Sequence, residues 1–201
     1  MEIKNIIFDF GGVLIDWNPR YMYQKVFNDT TEMEYFLANI CTEDWNLQQD
    51  KDRSLAEGTQ FLIQKFPNHA NLIKLFYDRW EEMLNGIIEE NVKLIAILKS
   101  EYKLYGLTNW SAETFPIALK KYSFLQEFEG IVVSGTEKLI KPDPKIFNLL
   151  LNRYQLKAEE SVFIDDNIKN IIAAQEIGFK TIHINDNINL ELELKKMKIL
   201  K

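Results

Sequence analysis

Four short stretches carry side chains that could do chemistry together: Asp9 in IIFDFGGVLID, Thr108 and Asn109 in LTNW, Lys141 in IKPDP, and the pair Asp165 and Asp166 in FIDDN. Asp9 closes an apolar run, where an ionised carboxylate is costly to bury unless something uses its charge. Singly, each residue has an ordinary explanation, Thr108 and the acids as helix caps and Lys141 as a surface lysine beside prolines. Jointly they do not, because three carboxylates gathered at one place raise one another's proton affinity unless a cation neutralises them. The hard ion that suits such oxygen donors is Mg²⁺, usually held by one or two carboxylates together with substrate phosphate oxygens. The amides around Gly11 and Gly12 can form an anion-binding nest, since glycine permits close approach and positive φ. A carboxylate can also act as a nucleophile and form a covalent intermediate, which divides one hard step into two easier ones.

For these residues to meet, they must sit at the ends of neighbouring strands. NIIFDF, KLYGLT (103–108), GIVVS (130–134), SVFID (161–165) and KTIHI (180–184) are short apolar runs of the kind that forms strands buried on both faces. Between them, 112–121, 144–154 and 168–177 have helical spacing, for example Ile146, Leu149, Leu150 and Tyr154. Alternation of this kind predicts right-handed crossover units and an α/β, doubly wound parallel sheet. From about residue 17 to residue 88 the pattern changes to amphipathic helices with no strand candidate. Helices are predicted over 54–66 and 69–84, the second with Leu72, Phe76, Trp80 and Met83 on one face and ended by Asn85-Gly86. The predicted organisation is therefore a core of 1–16 and 89–201 with a helical insertion, 17–88, over the carboxyl edge of the sheet, where open parallel sheets bind ligands.

Bulk properties exclude several function classes. The 201 residues suffice for one core and a small inserted domain. A net charge of -6, with no cluster of Lys and Arg beyond the solvated LKKMKILK stretch, argues against nucleic acid as the partner. No apolar run approaches the roughly 20 residues that span a bilayer, and the N-terminus lacks the pattern of a secretory signal. Cys41 is the single cysteine, so no internal disulfide is possible. Together these features predict a cytoplasmic protein. His69 and His183 have no Cys or Glu at ligand spacing, which argues against zinc.

The four stretches, in this order and with a helical insertion in this gap, resemble the motifs of the haloacid dehalogenase superfamily of hydrolases, and the resemblance covers nearly the whole chain. It implies a Mg²⁺-dependent phosphatase with a Rossmann-like core. Asp9 would be the nucleophile; Thr108, Asn109, Lys141, Gly11 and Gly12 would hold the phosphoryl group. The metal would rest on Asp9, the Gly11 carbonyl and Asp166, with Asp165 an outer ligand or orienter. The insertion is similar to the helical cap of the superfamily's first subclass, and DWNPRYMY, WNLQQD and TNWSAETF resemble the branch of sugar-phosphate phosphatases of the glucose-1-phosphatase type. The implied partner is a small-molecule phosphate ester, bound by a monomer or weak dimer without nucleic acid or membrane. Trp45, Asn46, Gln48, Gln49 and Asp50, and Trp110 beside Asn109, offer an aromatic platform with polar groups for sugar hydroxyls. One departure matters: most phosphatases of the superfamily carry a second Asp two residues after the nucleophile to protonate the leaving group, and here that position is Gly11. Asp16 or a bound water are the substitutes considered, and without an acid the reaction is expected to favour acidic leaving groups such as anomeric hydroxyls. The 2-haloacid dehalogenases also lack that Asp, but work without metal and usually without the paired acids. That activity, or binding of a phosphometabolite without catalysis, are the alternatives.

Overall fold

The computed structural model describes residues 2–201. Its strands are β1 (Asn5–Phe8), β2 (Ile15–Trp17), β3 (Leu84–Ile87), β4 (Lys103–Thr108), β5 (Gly130–Val133), β6 (Ser161–Asp165) and β7 (Lys180–His183). Five of them form one parallel sheet in the order β5-β4-β1-β6-β7. The chain thus starts in the middle, builds outward to one edge, and returns to build the other half, as the strand runs predict for a doubly wound sheet. Both faces are covered, which is why these strands are apolar almost throughout. Ile6, Phe8, Leu104, Val162 and Ile164 face one side, and Ile7, Tyr105, Leu107 and Phe163 the other.

The helices are α1 (Arg20–Tyr23), α2 (Thr30–Asn39), α3 (Glu43–Lys51), α4 (Leu55–Lys65) and α5 (Ala70–Asp78) in the inserted segment, then α6 (Glu89–Lys99), α7 (Phe115–Lys121), α8 (Ser134–Glu137), α9 (Pro144–Tyr154), α10 (Ile168–Ile177) and α11 (Leu190–Lys196) around the sheet. Local chemistry sets their ends. Asp29, Thr42, Ser54, Asp143, Asn167 and Asn189 each accept a backbone N–H at a helix start, and Ser54 with Glu57 completes a reciprocal capping box.

Three predicted elements differ. The insertion does contain a strand: β3 pairs antiparallel with β2, so the helical segment leaves and re-enters the core through a two-stranded ladder. Gly86, read as a helix stop, lies within β3 at φ +130. The helix predicted over 69–84 is split into a 3₁₀ turn at Pro67–His69, α5 and a second 3₁₀ turn at Trp80–Met83. The helix predicted from 112 begins at Phe115, because Ser111 Oγ accepts the Glu113 amide in a local turn first.

The floor of the sheet's carboxyl edge depends on a close fit beside Asp9. Phe10 folds its ring against β4 at Gly106, where an added Cβ would lie 2.3 Å from Phe10 Cζ, and the ring stacks on Phe115 and meets Phe128 edge-on. Gly106→Ala is therefore expected to destabilise the protein by about 1–3 kcal/mol through overpacking, measured by urea unfolding. An unchanged midpoint would mean that the Phe10 loop yields without cost.

Candidate active site

The registers bring the candidate residues level. Phe8 pairs with Gly106 of β4 and Ile164 of β6, so Asp9 emerges between the ends of these two strands, and its amide donates to Ile164 O at 2.8 Å. This is the point at which the strand order reverses, where adjacent connections diverge and leave a crevice. Thr108 ends β4, and Asp165 ends β6.

Lys141 sits at the centre of the crevice. It is 1% exposed, and its ammonium reaches Asp165 Oδ2 at 2.7 Å, Asp9 Oδ2 at 3.0 Å and the Leu107 carbonyl at 2.9 Å. Asn109 fixes the lysine's peptide with two bonds, donating from Nδ2 to Lys141 O at 3.0 Å and accepting the Lys141 amide at 2.9 Å. Asp165, wholly buried, also accepts the Asn167 amide at 2.8 Å and Asn170 Nδ2 at 3.0 and 3.1 Å. Each oxygen of that carboxylate is thus engaged within the protein. The remaining Asp9 oxygen accepts the Phe10 amide at 2.7 Å. Burial pulls the Lys141 ammonium down, but the two carboxylates outweigh it and hold its pKa above the usual value.

Asp9, Asp165 and Asp166 bring carboxylate oxygens within 4.8 Å of one another. Three acids facing one ammonium leave the cluster electron-rich. Burial, opposed by Lys141 and reinforced by Asp165 and Asp166, raises Asp9 to about 7. Asp166, more open, is raised by loss of hydration and by Asp165. A hard divalent cation fits this all-oxygen set and would relieve the repulsion. The turn after Asp9 is shaped to Asp166: a Cβ on Gly12, at φ +69, would lie 2.2 Å from Asp166 Oδ2. Glycine is needed there both for the left-handed backbone and for the carboxylate's approach.

Thr108 Oγ1 is buried without a hydrogen-bond partner, as is Trp17 Nε1. Such orphans are uncommon and mark places where a ligand or water completes the bonding. Trp17 lines a cavity of about 80 Å³ over Gly11, together with Asn46, Asp50, Trp80, Asn109, Trp110 and Thr114. The structure therefore brings Asp9, Gly11, Gly12, Thr108, Asn109, Lys141, Asp165 and Asp166 to one region. It does not bring Trp45 or Gln48 to the cavity. Trp45 is in the insertion's own core, donating Nε1–H to the Gly58 carbonyl at 3.0 Å and meeting Phe76 edge-on, while Gln48 faces solvent. The aromatic walls are Trp17, Trp80 and Trp110, the last two in edge-on contact. Trp17 and Trp80 were missed as site residues; Trp17 lies in β2, whose pairing with β3 no sequence periodicity revealed, and Trp80 in the 3₁₀ turn just before β3. Asp16 turns away, accepting from Tyr21 Oη at 2.8 Å and Asn85 Nδ2 at 2.9 Å.

Asp50 also lines this cavity, from the last turn of α3. Burial pushes its carboxyl up to about 8, and the nearby Asp9 charge adds to the rise.

The profile of the haloacid dehalogenase-like hydrolases matches residues 6–184. Among curated relatives, a sesquiterpene phosphatase of Aspergillus oryzae is 27% identical over 199 residues, covering 96% of each chain. A D-ribitol-5-phosphate phosphatase of Bacteroides thetaiotaomicron is 26% identical over 209 residues, covering 96% of this chain and 97% of its own. The fold is similar to that of a HAD family enzyme from Bacteroides thetaiotaomicron solved as a magnesium complex, at a TM-score of 0.77 and 23% identity, over 97% of this chain and 100% of that one.

Asp50 supplies a test of the site's electrostatics in the metal-free protein. A carboxyl whose pKa is raised on folding binds more protons in the folded state, so its contribution to stability falls as pH rises from about 4 to about 8. Asp50→Asn removes that fall. The difference in urea midpoint, variant minus wild type, is expected to grow in the variant's favour between pH 5 and pH 8.5, and a constant difference would mean that Asp50 titrates normally.

Proposed function

The chain belongs to the haloacid dehalogenase-like hydrolases, and we propose that it is a Mg²⁺-dependent phosphatase acting on a small phosphorylated metabolite, a sugar or polyol phosphate, through an aspartyl-phosphate on Asp9. The observation that carries this reading is the cluster of three carboxylates around one buried lysine at the switch point of a parallel sheet.

In this reading Asp9 is the nucleophile. Attack on phosphorus requires its ionised form, which burial and the neighbouring acids oppose and the Lys141 ammonium favours. Asp9, Asp166 and the Gly11 carbonyl would hold the Mg²⁺, which when bound neutralises the carboxylates and the phosphoryl oxygens. Asp165, with its oxygens taken by Lys141, Asn167 and Asn170, orients the lysine. The orphaned Thr108 hydroxyl and the backbone about Asn109 and Gly12 would receive phosphoryl oxygens, and Asn109's side chain holds the Lys141 loop. Residues 17–88 would act as the cap that closes over the ester. Retention of both Asp165 and Asp166 supports phosphate over halide chemistry, since displacement of halide at carbon needs no cation.

Substrate class is argued from the cavity walls. Asn46 and Asp50 offer polar partners for hydroxyls, the Trp17 indole N–H is a donor without a partner, and Trp80 and Trp110 present aromatic surface to C–H groups. A void of about 80 Å³ favours a short hydroxylated leaving group over a sesquiterpenyl one.

The test is turnover of a panel of phosphate monoesters with Mg²⁺ and with chelator. Asp9→Asn is expected to abolish turnover, at least about 10⁴-fold, with an unchanged circular dichroism spectrum; normal turnover in that folded variant would refute the nucleophile. Asp166→Ala is expected to raise the Mg²⁺ concentration for half-maximal rate about 10-fold or more without lowering the urea midpoint of the metal-free protein. Asp165→Ala should lower that midpoint, because it strips the buried lysine of its nearest partner. Equal or reversed effects on metal affinity would overturn the assignment of Asp166 as the ligand.

A further inference from the structure

We propose that Asp50, on helix α3 of the inserted segment, is the general acid and base of the reaction, in place of the carboxyl absent at Gly11. The inference rests on the phosphoester-hydrolysis reading above and names the proton donor that reading lacks.

Asp50 is fixed to the core on the loop that carries the phosphate-binding candidates. Its backbone carbonyl accepts the hydroxyl of Ser134, a wholly buried residue at the start of α8, and the same Ser134 Oγ accepts the Trp110 amide at 2.8 Å. Trp110 directly follows Thr108 and Asn109, so the Asp50 backbone is tied to the strand end beside Asp9 although forty residues of chain separate the two acids. The cavity it enters is also bounded by Gly11, where a Cβ would meet nothing within 4 Å. The space that a second Asp would occupy is open, and Asp50 lines the same cavity.

A relay within the insertion holds the carboxyl. Arg53 Nε donates to Gln49 Oε1; Gln49 Nε2 donates to Tyr77 Oη at 2.8 Å; Tyr77 Oη donates to Asn46 Oδ1 at 2.9 Å; and Asn46 Nδ2 donates to Asp50 Oδ2 at 2.9 Å. Every donor points toward Asp50, so that one oxygen is bonded within the insertion and the other is left to the cavity. Asp9 and Tyr77 are the ionisable groups whose charge couples to Asp50. Burial keeps the carboxyl protonated near neutral pH, the state an acid needs.

The proposed steps balance. An Asp9 oxygen bonds to phosphorus as the bond from phosphorus to the ester oxygen breaks, and that oxygen takes the Asp50 proton, leaving Asp50 as a carboxylate. A water then attacks the aspartyl-phosphate, gives its proton to Asp50 and releases phosphate, which restores both acids. With an internal acid, leaving-group acidity matters less than Gly11 alone suggests.

The experiment measures kcat/KM of the full chain with Mg²⁺ for p-nitrophenyl phosphate, phenyl phosphate and glycerol 1-phosphate, in the wild type and in Asp50→Asn. The wild type is expected to vary little along this series. Asp50→Asn is expected to keep its kcat/KM for p-nitrophenyl phosphate within about 10-fold, since that ratio excludes the later hydrolysis of the aspartyl-phosphate, while losing roughly 10²–10⁴-fold in kcat/KM for glycerol 1-phosphate. Gly11→Asp in the Asp50→Asn background should restore part of the glycerol 1-phosphate rate. A merely structural Asp50 would slow all three esters alike; that result, or no loss at all, overturns the inference and leaves the phosphatase reading standing. The wild-type series is a second measurement that needs no variant, and a steep fall from aryl to alkyl ester there overturns the inference too. A wild type inert toward all three esters overturns the phosphatase reading itself.

Discussion

A single buried ammonium holds the crevice together. Lys141 has almost no contact with water and three oxygen partners, two of them carboxylates from different strand ends. Removing any one partner would leave a charge in a low-dielectric site, where the penalty for an unpaired ion is several kcal/mol. The lysine, however, comes from a loop and not from a strand, so its position must be imposed. Asn109 imposes it by binding both sides of the Lys141 peptide, and Asn170 and the Asn167 amide hold Asp165 in turn. The sheet's register, the loop after α8 and the start of α10 are thus coupled through one charge.

That coupling explains what was legible in the sequence. Asp9, Thr108 and Asp165 stand at the ends of apolar runs, and an apolar run ending in a polar residue is a local pattern. Lys141, in a loop, was legible only through the KPDP stretch and its resemblance to a superfamily motif. The five-stranded sheet followed from alternation of runs and helices, because strands buried on both faces leave a continuous apolar signature. Gly12 was read for its backbone freedom, and the structure shows in addition which group comes close, the Asp166 carboxylate.

What was not legible depends on contacts between distant positions. Trp45 and Trp80 are both aromatic residues on helical or near-helical turns, and nothing local says that the first fills the insertion's core while the second walls the cavity. The difference arises from packing: Trp45 finds Phe76, Tyr77 and the Gly58 carbonyl, whereas Trp80 meets Trp110 of the core. The β2–β3 pair was hidden because three- and four-residue strands are too short to show a period, and because Asn85-Gly86 normally stops a helix. Asp50 was visible as a polar residue of the insertion, but its link to Ser134 spans 84 positions and had no signature in either partner.

A proton donor carried by the insertion differs in kind from one carried two residues after the nucleophile. A carboxyl on the strand-end turn is present whether or not the crevice is covered. Asp50 is in place only while α3 rests on α8 and Ser134 holds its carbonyl. If the insertion covers the crevice as proposed, bulk water is excluded and each charge interaction within it is strengthened, so an acid carried by the cover would be delivered together with the environment that keeps it protonated. Proton transfer and seclusion of the ester would then be one structural event, and Gly11 could remain small, leaving the floor of the cavity to the substrate.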